Sequence, residues 1–564
     1  MKHEQGGRFV KRVLAVLCSI VLLVVSMSGC GESKNANKTI NIKLTAEPST
    51  LDPQVAQGSD AATVISALYE GLCRLDSSGK AVPGVAESWK ANSDSTEFTF
   101  NLRSNAVWNG NIKEVTGKSE NETTSTPVTA QDFVFAWRRA LDASTASPVC
   151  TAMMCIENAV QVHAGTLSSD KLGVTAKDSH TLVVKLRYTC PEFPQLTAQS
   201  VFMPCNEEFF TYAAGRYGME RATIFGNGPF SIPNYGWNHN QNLTAKRSST
   251  YVGGTAALPS SLVFTIGDTS TSNSTASAAV TVSSSDNTST STGTDVVQSI
   301  VSGKMDIAPL DISSVSSAQK ADLTVTSFQD TTGGLCFNTK GVFQSAALRR
   351  AFVQVLKRGT LLNLLPSGTQ QADDILPPAI QFGGKPYRDQ VTSGLFLKQS
   401  ASAAVQGSSL LKKGTKVTLL CTEETKPLAS EMLANWNQAF QTYFSLNAVD
   451  ERTLLSSVIS GSYDIAIYPY TPVSADAYTA LACFQSGQSG NFTQLKDSSY
   501  DQLLSGSTVS SGALAQAEKY LNDNAVFYPL YYTKHAYAAQ SSVTGVLYRP
   551  FGAGLDLRGA GKDN

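Results

Sequence analysis

The stretch 68–137 constrains this chain more than any other part of its 564 residues, because four short segments of distinct period follow one another there in one order. They read LYEGL at 68–72, PGVAESW at 83–89, FTFNLR at 98–103 and PVTAQDFVFAW at 127–137. In FTFNLR the residues Phe98, Phe100 and Leu102 share one face and Thr99, Asn101 and Arg103 the other, the period of two expected of a half-buried strand. The last segment changes period. Thr129 suits a helix N-cap, with Asp132 as its capping-box partner in the place usually held by Glu or Gln. Phe133, Trp137, Ala140 and Leu141 then recur at helical spacing. The pattern predicts a strand followed by an amphipathic helix packed through its aromatic side, with these residues in a core and none of them catalytic.

The N-terminus has the anatomy of a secretory signal. Lys2, Arg8, Lys11 and Arg12 precede an apolar run at 13–27, and the small residues Ser28 and Gly29 lead to Cys30. The expectation is a signal peptide over 1–29, lipidation at Cys30, and a linker within 30–38. Met27 stands where lipoprotein signals usually carry Leu. Two acyl chains hold a protein at a membrane where one does not. No later apolar run approaches the length that spans a bilayer. With 42% hydrophobic and 16% charged residues the chain has material for two or three globular domains. A net charge of -1 supplies no basic face for nucleic acid.

Apart from Cys18 and Cys30, the cysteines are Cys73, Cys150, Cys155, Cys190, Cys205, Cys336, Cys421 and Cys483. An exported chain meets oxidising conditions. The expected bridge is Cys190 with Cys205, since each lies beside a proline at the ends of a segment able to fold back; free buried thiols are the alternative. Cys150 and Cys155 are a close pair, but His3, His163, His180, His239 and His535 are scattered and offer no zinc-finger spacing. Residues 111–125 and the Ser/Thr-rich 269–294 read as polar insertions, the second too poor in apolar residues to fold alone.

Further segments extend the pattern: EPSTLDP at 47–53, NGPF at 227–230, SGKMDI at 302–307, FNTK at 337–340 followed by ALRRAF, YDIAIY at 463–468 and FYPLYY at 527–532. Together with the block at 68–137 they make the chain resemble the extracytoplasmic solute-binding proteins of ABC importers, in the oligopeptide, dipeptide and nickel branch. The resemblance implies an α/β, two-lobed periplasmic-binding-protein type II fold with an extra domain in lobe one. It implies that 39–69, 205–334 and 533–564 build a discontinuous lobe one, 70–204 the additional domain and 335–532 lobe two. It further implies a monomer without cofactors that captures a peptide or other small solute between its lobes. The solute would be delivered to an ABC permease and its ATPase subunits, with the receptor lipid-anchored at the extracytoplasmic face of the cell membrane, the periplasm in a Gram-negative cell.

In the oligopeptide receptors the peptide amino group is held by an acidic residue after the LDP motif, a Tyr after an ASP element and an Asp after the YDIA-type strand. The corresponding positions here are Gln57, Val149 and Val473, none of them acidic or phenolic. Glu451 replaces an aromatic residue and Tyr470 a Trp; Thr471 adjoins it in the loop YTPVSADAY at 470–478. Asp476 supplies a carboxylate if that loop is shifted by three residues. An ammonium buried against two valines would be costly. Either a peptide is recognised through other groups, or the solute is of another class; a peptide-like solute is the expectation. A non-peptide solute, or a surface receptor or adhesin without transport, is the alternative.

Trp436, in the stripe Met432, Leu433, Trp436, Phe440 and Phe444, is expected in the core and not as a ligand platform. No enzyme is expected. Neither GxSxG nor HExxH occurs, His163, His180 and His535 lie in no catalytic pattern, and no GxxxxGK[ST] loop is present to cradle phosphates.

Overall fold

The computed structural model describes residues 38–563 apart from 78, 119–123, 254–258, 267–292, 367, 413, 489, 506–508 and 552–553; for 293–295, 451 and 452 it describes the backbone alone. The signal segment, Cys30, the linker at 31–37 and the insertion at 269–292 lie outside the described residues. Among the described residues no helix is long and apolar enough to cross a membrane.

Two long strands, Thr324–Phe337 and Phe527–Ala539, run antiparallel through the middle of a 12-stranded sheet. One flank of the sheet is Ile465–Tyr470, Thr418–Cys421 and Ser445–Ala448, attached to the first long strand along 332–337. The other flank is Ile307–Leu310, Thr39–Lys43, Ser261–Thr265, Asn242–Arg247 and Phe230–Ser231, attached to the second long strand along 536–539. One strand pair therefore serves two lobes set end to end. Its register slips between Phe328 and Thr331 and again between Gly333 and Gly334. A Cβ on Gly333 would lie 2.1 Å from the Tyr531 ring, so the crossing requires glycine there.

The block at 68–137 belongs to a separate four-stranded antiparallel sheet in the order Ala86–Ala91, Glu97–Leu102, Thr181–Lys185, Val174–Asp178. Phe98, Phe100 and Leu102 are buried on one face, as their alternation predicts. The helix Ala130–Leu141 starts where Thr129 donates its N–H and its hydroxyl to Asp132, at 2.7 and 3.0 Å. Phe133, Trp137, Ala140 and Leu141 are fully buried on it. Trp137 meets Phe193 and Phe202 edge-on and donates its Nε1–H to the Phe202 carbonyl at 3.0 Å. Each large apolar side chain withdrawn from water in this cluster contributes about 1.5–3 kcal/mol.

The helix is also tied to the EPSTLDP segment. Arg139 donates to both oxygens of Asp52, at 2.6 and 2.7 Å, and lies over the Phe210 ring. Both ions are buried, and each compensates the charge that burial would otherwise penalise. In the second lobe the helix Lys426–Phe440 buries Trp436, whose Nε1–H donates to the Phe352 carbonyl at 2.8 Å. The indole is a core side chain, as its stripe predicts.

The bridge expected between Cys190 and Cys205 is absent: all eight described cysteines are buried free thiols. The segment between the two does not fold back on itself. It forms the helix Phe193–Leu196 and the turn Ser200–Phe202, which pack against Trp137. Cys205 is thereby set among Arg139, Asp52 and Tyr217, and the Cys155 thiol has the Ala152 carbonyl as its partner.

Candidate functional site

The strip 147–193 of the additional domain touches the second lobe. The turn Cys150–Met153 packs against the helix Ala477–Ala482. Tyr188 and Tyr478 approach to 4.5 Å between ring centroids, with the Arg187 guanidinium near both rings and its Nη2 donating to the Leu504 carbonyl at 3.1 Å. The lobes are thus in contact beside Val149 and Asp476.

The positions singled out in the sequence occupy different environments. Tyr470 is buried, and its hydroxyl donates to the Ala480 carbonyl at 2.6 Å, so its polar end is used inside the lobe. Thr471 shares a hydrogen bond of 2.7 Å with Thr331, beside the slip in the long strand pair. Val473 is half-buried against the core. Asp476 caps the helix Ala477–Ala482, accepting from the Thr479 N–H at 2.6 Å, and is buried. Val149 is half-buried at the head of the turn Cys150–Met153. Gln57 is exposed in the loop before the helix Ser59–Leu68, a loop joined to the Val149 turn where Ser147 donates to the Gln54 carbonyl at 2.5 Å. Glu451 opens the helix Glu451–Ser460, capped by Asp450. The fold thus joins Gln57 and Val149 through one pair of loops, and Tyr470, Thr471, Val473 and Asp476 through one strand-to-helix connection.

The sequence reading missed Glu192. It lies on the additional domain, yet the backbone of Gly383 in the second lobe comes near enough to its carboxylate to oppose its rise, and Gly383 belongs to a hairpin whose Gln381 N–H donates to the Ala475 carbonyl at 2.7 Å. Across the interface the Asp476 carboxylate acts electrostatically on Glu192. Its Oε2 is buried without a hydrogen-bond partner. Burial first, and the Asp476 carboxylate next, push Glu192 up to about 7. Burial also raises Asp476, against the opposing hydrogen bonds of Thr479 and Tyr478. Among the described residues no basic side chain pairs with either acid. Two desolvated carboxyl groups that influence each other favour retention of a proton. No local periodicity marks Glu192; its residue type in CPEF carries no pattern, and only the influence of Asp476 in the fold distinguishes it.

Among the described residues no group of three or more His, Cys, Asp or Glu side chains is arranged to hold a metal ion. Glu70, Arg103, Asn227 and Tyr251 are among the residues that line a separate small cleft.

Residues 80–492 match the family model of bacterial extracellular solute-binding proteins, family 5. The dipeptide-binding protein DppE of Bacillus subtilis is 25% identical over 94% of this chain and 93% of its own length. The periplasmic murein peptide-binding protein MppA of Escherichia coli is 26% identical over 94% of each chain. Among solved structures, the substrate-binding domain of an oligopeptide ABC transporter from Bacillus anthracis superposes with a TM-score of 0.74, at 24% identity, over 94% of this chain and all of that one. The two lobes joined by long crossing strands, with an added domain, are the α/β periplasmic-binding-protein type II fold. With nearly three quarters of its length inside the family match, the chain belongs to the family 5 bacterial extracellular solute-binding proteins.

Proposed function

We propose that this protein is a lipid-anchored, monomeric receptor that captures a peptide or peptide-like solute between its lobes and delivers it to an ABC permease driven by ATPase subunits. The relatives named for dipeptides and murein peptides support the solute class. The observation that carries the reading is the contact between the lobes at Tyr188 and Tyr478, beside which Glu192 and Asp476 are both desolvated. A ligand ammonium beside these acids would recover the charge compensation that Gln57, Val149 and Val473 do not offer. Closure then follows from hinge motion at the crossing strands, near Thr331 and Thr471, with residues 39–69, 205–334 and 533–564 moving as one lobe and 335–532 as the other. In this reading no residue of the chain performs catalysis and no cofactor is needed; the chain binds, closes and excludes water.

The test is a thermal-shift screen of peptides, N-acetylated peptides, sugars, amino acids and metal ions. A peptide with a free amino group should stabilise the protein by about 2.7 kcal/mol at a hundredfold excess over its dissociation constant. Its N-acetylated form should bind far more weakly. A shift with another class and with no peptide would overturn the solute assignment. The apolar character of Val149 and Val473 favours, as the second reading, a solute without an amino group, and equal shifts from free and acetylated peptides would point the same way.

A further inference from the structure

The contact between the additional domain and the second lobe turns on Arg187. Its backbone is fixed inside its own domain, where its N–H donates to the Cys155 carbonyl at 2.9 Å and the neighbouring Leu186 bridges Ile156 in antiparallel register. Its side chain leaves that domain. The Nη2 donates at 3.1 Å to the Leu504 carbonyl, 317 residues further along the chain, and the guanidinium carbon lies 5.8 and 5.7 Å from the ring centroids of Tyr188 and Tyr478. Those two rings, one from each side of the interface, are 4.5 Å apart and both buried. Leu504 is the C-cap of the helix Ser498–Leu503, so its carbonyl belongs to the turn where a helix presents unpaired oxygens and partial negative charge. The Tyr478 hydroxyl approaches the same oxygen at 3.4 Å. A guanidinium, which offers five N–H donors and no acceptor, is thus set on a helix C-terminus and beside two aromatic rings at once.

We propose that Arg187 is the latch of the closed receptor, a residue of the additional domain that holds the second lobe shut and so sets how long a captured solute is retained. The inference rests on the proposed hinge closure and is independent of the class of solute. Hinge motion at the crossing strands separates segments that meet only across the interface, so opening must withdraw Nη2 from the Leu504 carbonyl and part Tyr188 from Tyr478. Arg187 is half-buried, and a charge-assisted hydrogen bond there is stronger than a neutral one, so its loss falls on the closed form alone. These contacts are made with the protein and not with the solute. Removing the guanidinium should therefore raise the open population before any solute is added and hasten solute release, with little effect on the rate of capture.

The full chain is labelled for single-molecule energy transfer at cysteines introduced by Thr175→Cys in the additional domain and Ser430→Cys in the second lobe, both exposed positions; the eight described native thiols are buried. Without solute, Arg187→Met should lower the ratio of short to long distances by about three- to tenfold, and Arg187→Lys, which keeps the charge and loses the planar fork, by less. Arg138→Met is the matched control, since the Arg138 guanidinium donates at 3.3 Å to the Asp170 carbonyl within the additional domain, and it should leave the ratio unchanged. Release of a fluorescent free-amino peptide, followed by stopped flow, should quicken in Arg187→Met by the same factor; if no peptide binds, the solute assignment fails and the distances still decide the latch. A ratio that both Arg187 variants leave unchanged, or that Arg138→Met lowers as much, would overturn the latch while closure stands. One fixed distance in every variant, wild type included, with and without solute, would overturn closure and latch together.

Discussion

Under the proposed closure, Glu192 would couple proton binding to the meeting of the lobes. In the closed arrangement its carboxyl is held at about 7 against an ordinary 4.5. If the lobes part as proposed, it would return towards water and its ordinary value, and closure would take up a proton. The raised value gives closure a contribution fully present below about the ordinary carboxyl range and lost as the pH rises through about 7. A cationic ligand has the opposite dependence, since it needs the carboxylate. Its affinity should climb by up to about tenfold per pH unit below that value and level off above it. Calorimetric titration of a free-amino peptide from well below to well above the transition measures this slope. Glu192→Gln should flatten it and weaken binding, and an unchanged slope in that variant would remove Glu192 from the ligand's surroundings.

At the scale of elements, the crossing strands are the most demanding feature. Gly333 sits where the Tyr531 ring leaves no space for a Cβ, between two slips of register. Gly333→Ala should therefore destabilise the protein by about 1–3 kcal/mol, read from the midpoint of denaturant unfolding. A neutral effect would mean that Tyr531 turns aside at little cost. The elements themselves were largely legible in the chain. FTFNLR alternates, Thr129 and Asp132 form a cap, and the stripe through Trp436 follows the helical period, so strand, helix start and core side are all encoded within about a dozen neighbouring residues. The pairing of Thr324–Phe337 with Phe527–Ala539 was not, because no local signal tells a strand which distant strand it will meet.

At the scale of the whole molecule, the receptor reading requires a tether as well as a cleft. Cys30→Ala in the full-length chain should move the protein from the membrane fraction to the soluble extracytoplasmic fraction, measured by cell fractionation and immunoblot. Retention of that variant in the membrane fraction would show that something other than acylation at Cys30 holds it. The closed contact through Tyr188 and Tyr478 belongs to the same scale, since it exists only when both lobes and the added domain are assembled.

The sequence by itself determined the scaffold: periodic strands and helices, their caps, their aromatic cores, and an ordered set of segments matching one receptor family. These depend on residues close in the chain, where backbone geometry turns spacing directly into a buried face. Tertiary structure decided what meets at the interface. It turned the Tyr470 hydroxyl inward, used Asp476 as a helix cap, brought its charge to bear on Glu192, and carried the Arg187 guanidinium to the Leu504 carbonyl. Each of these is a contact between segments far apart in the chain, and the free energy that selects it comes from desolvation and pairing in a shared interior, which no local pattern records.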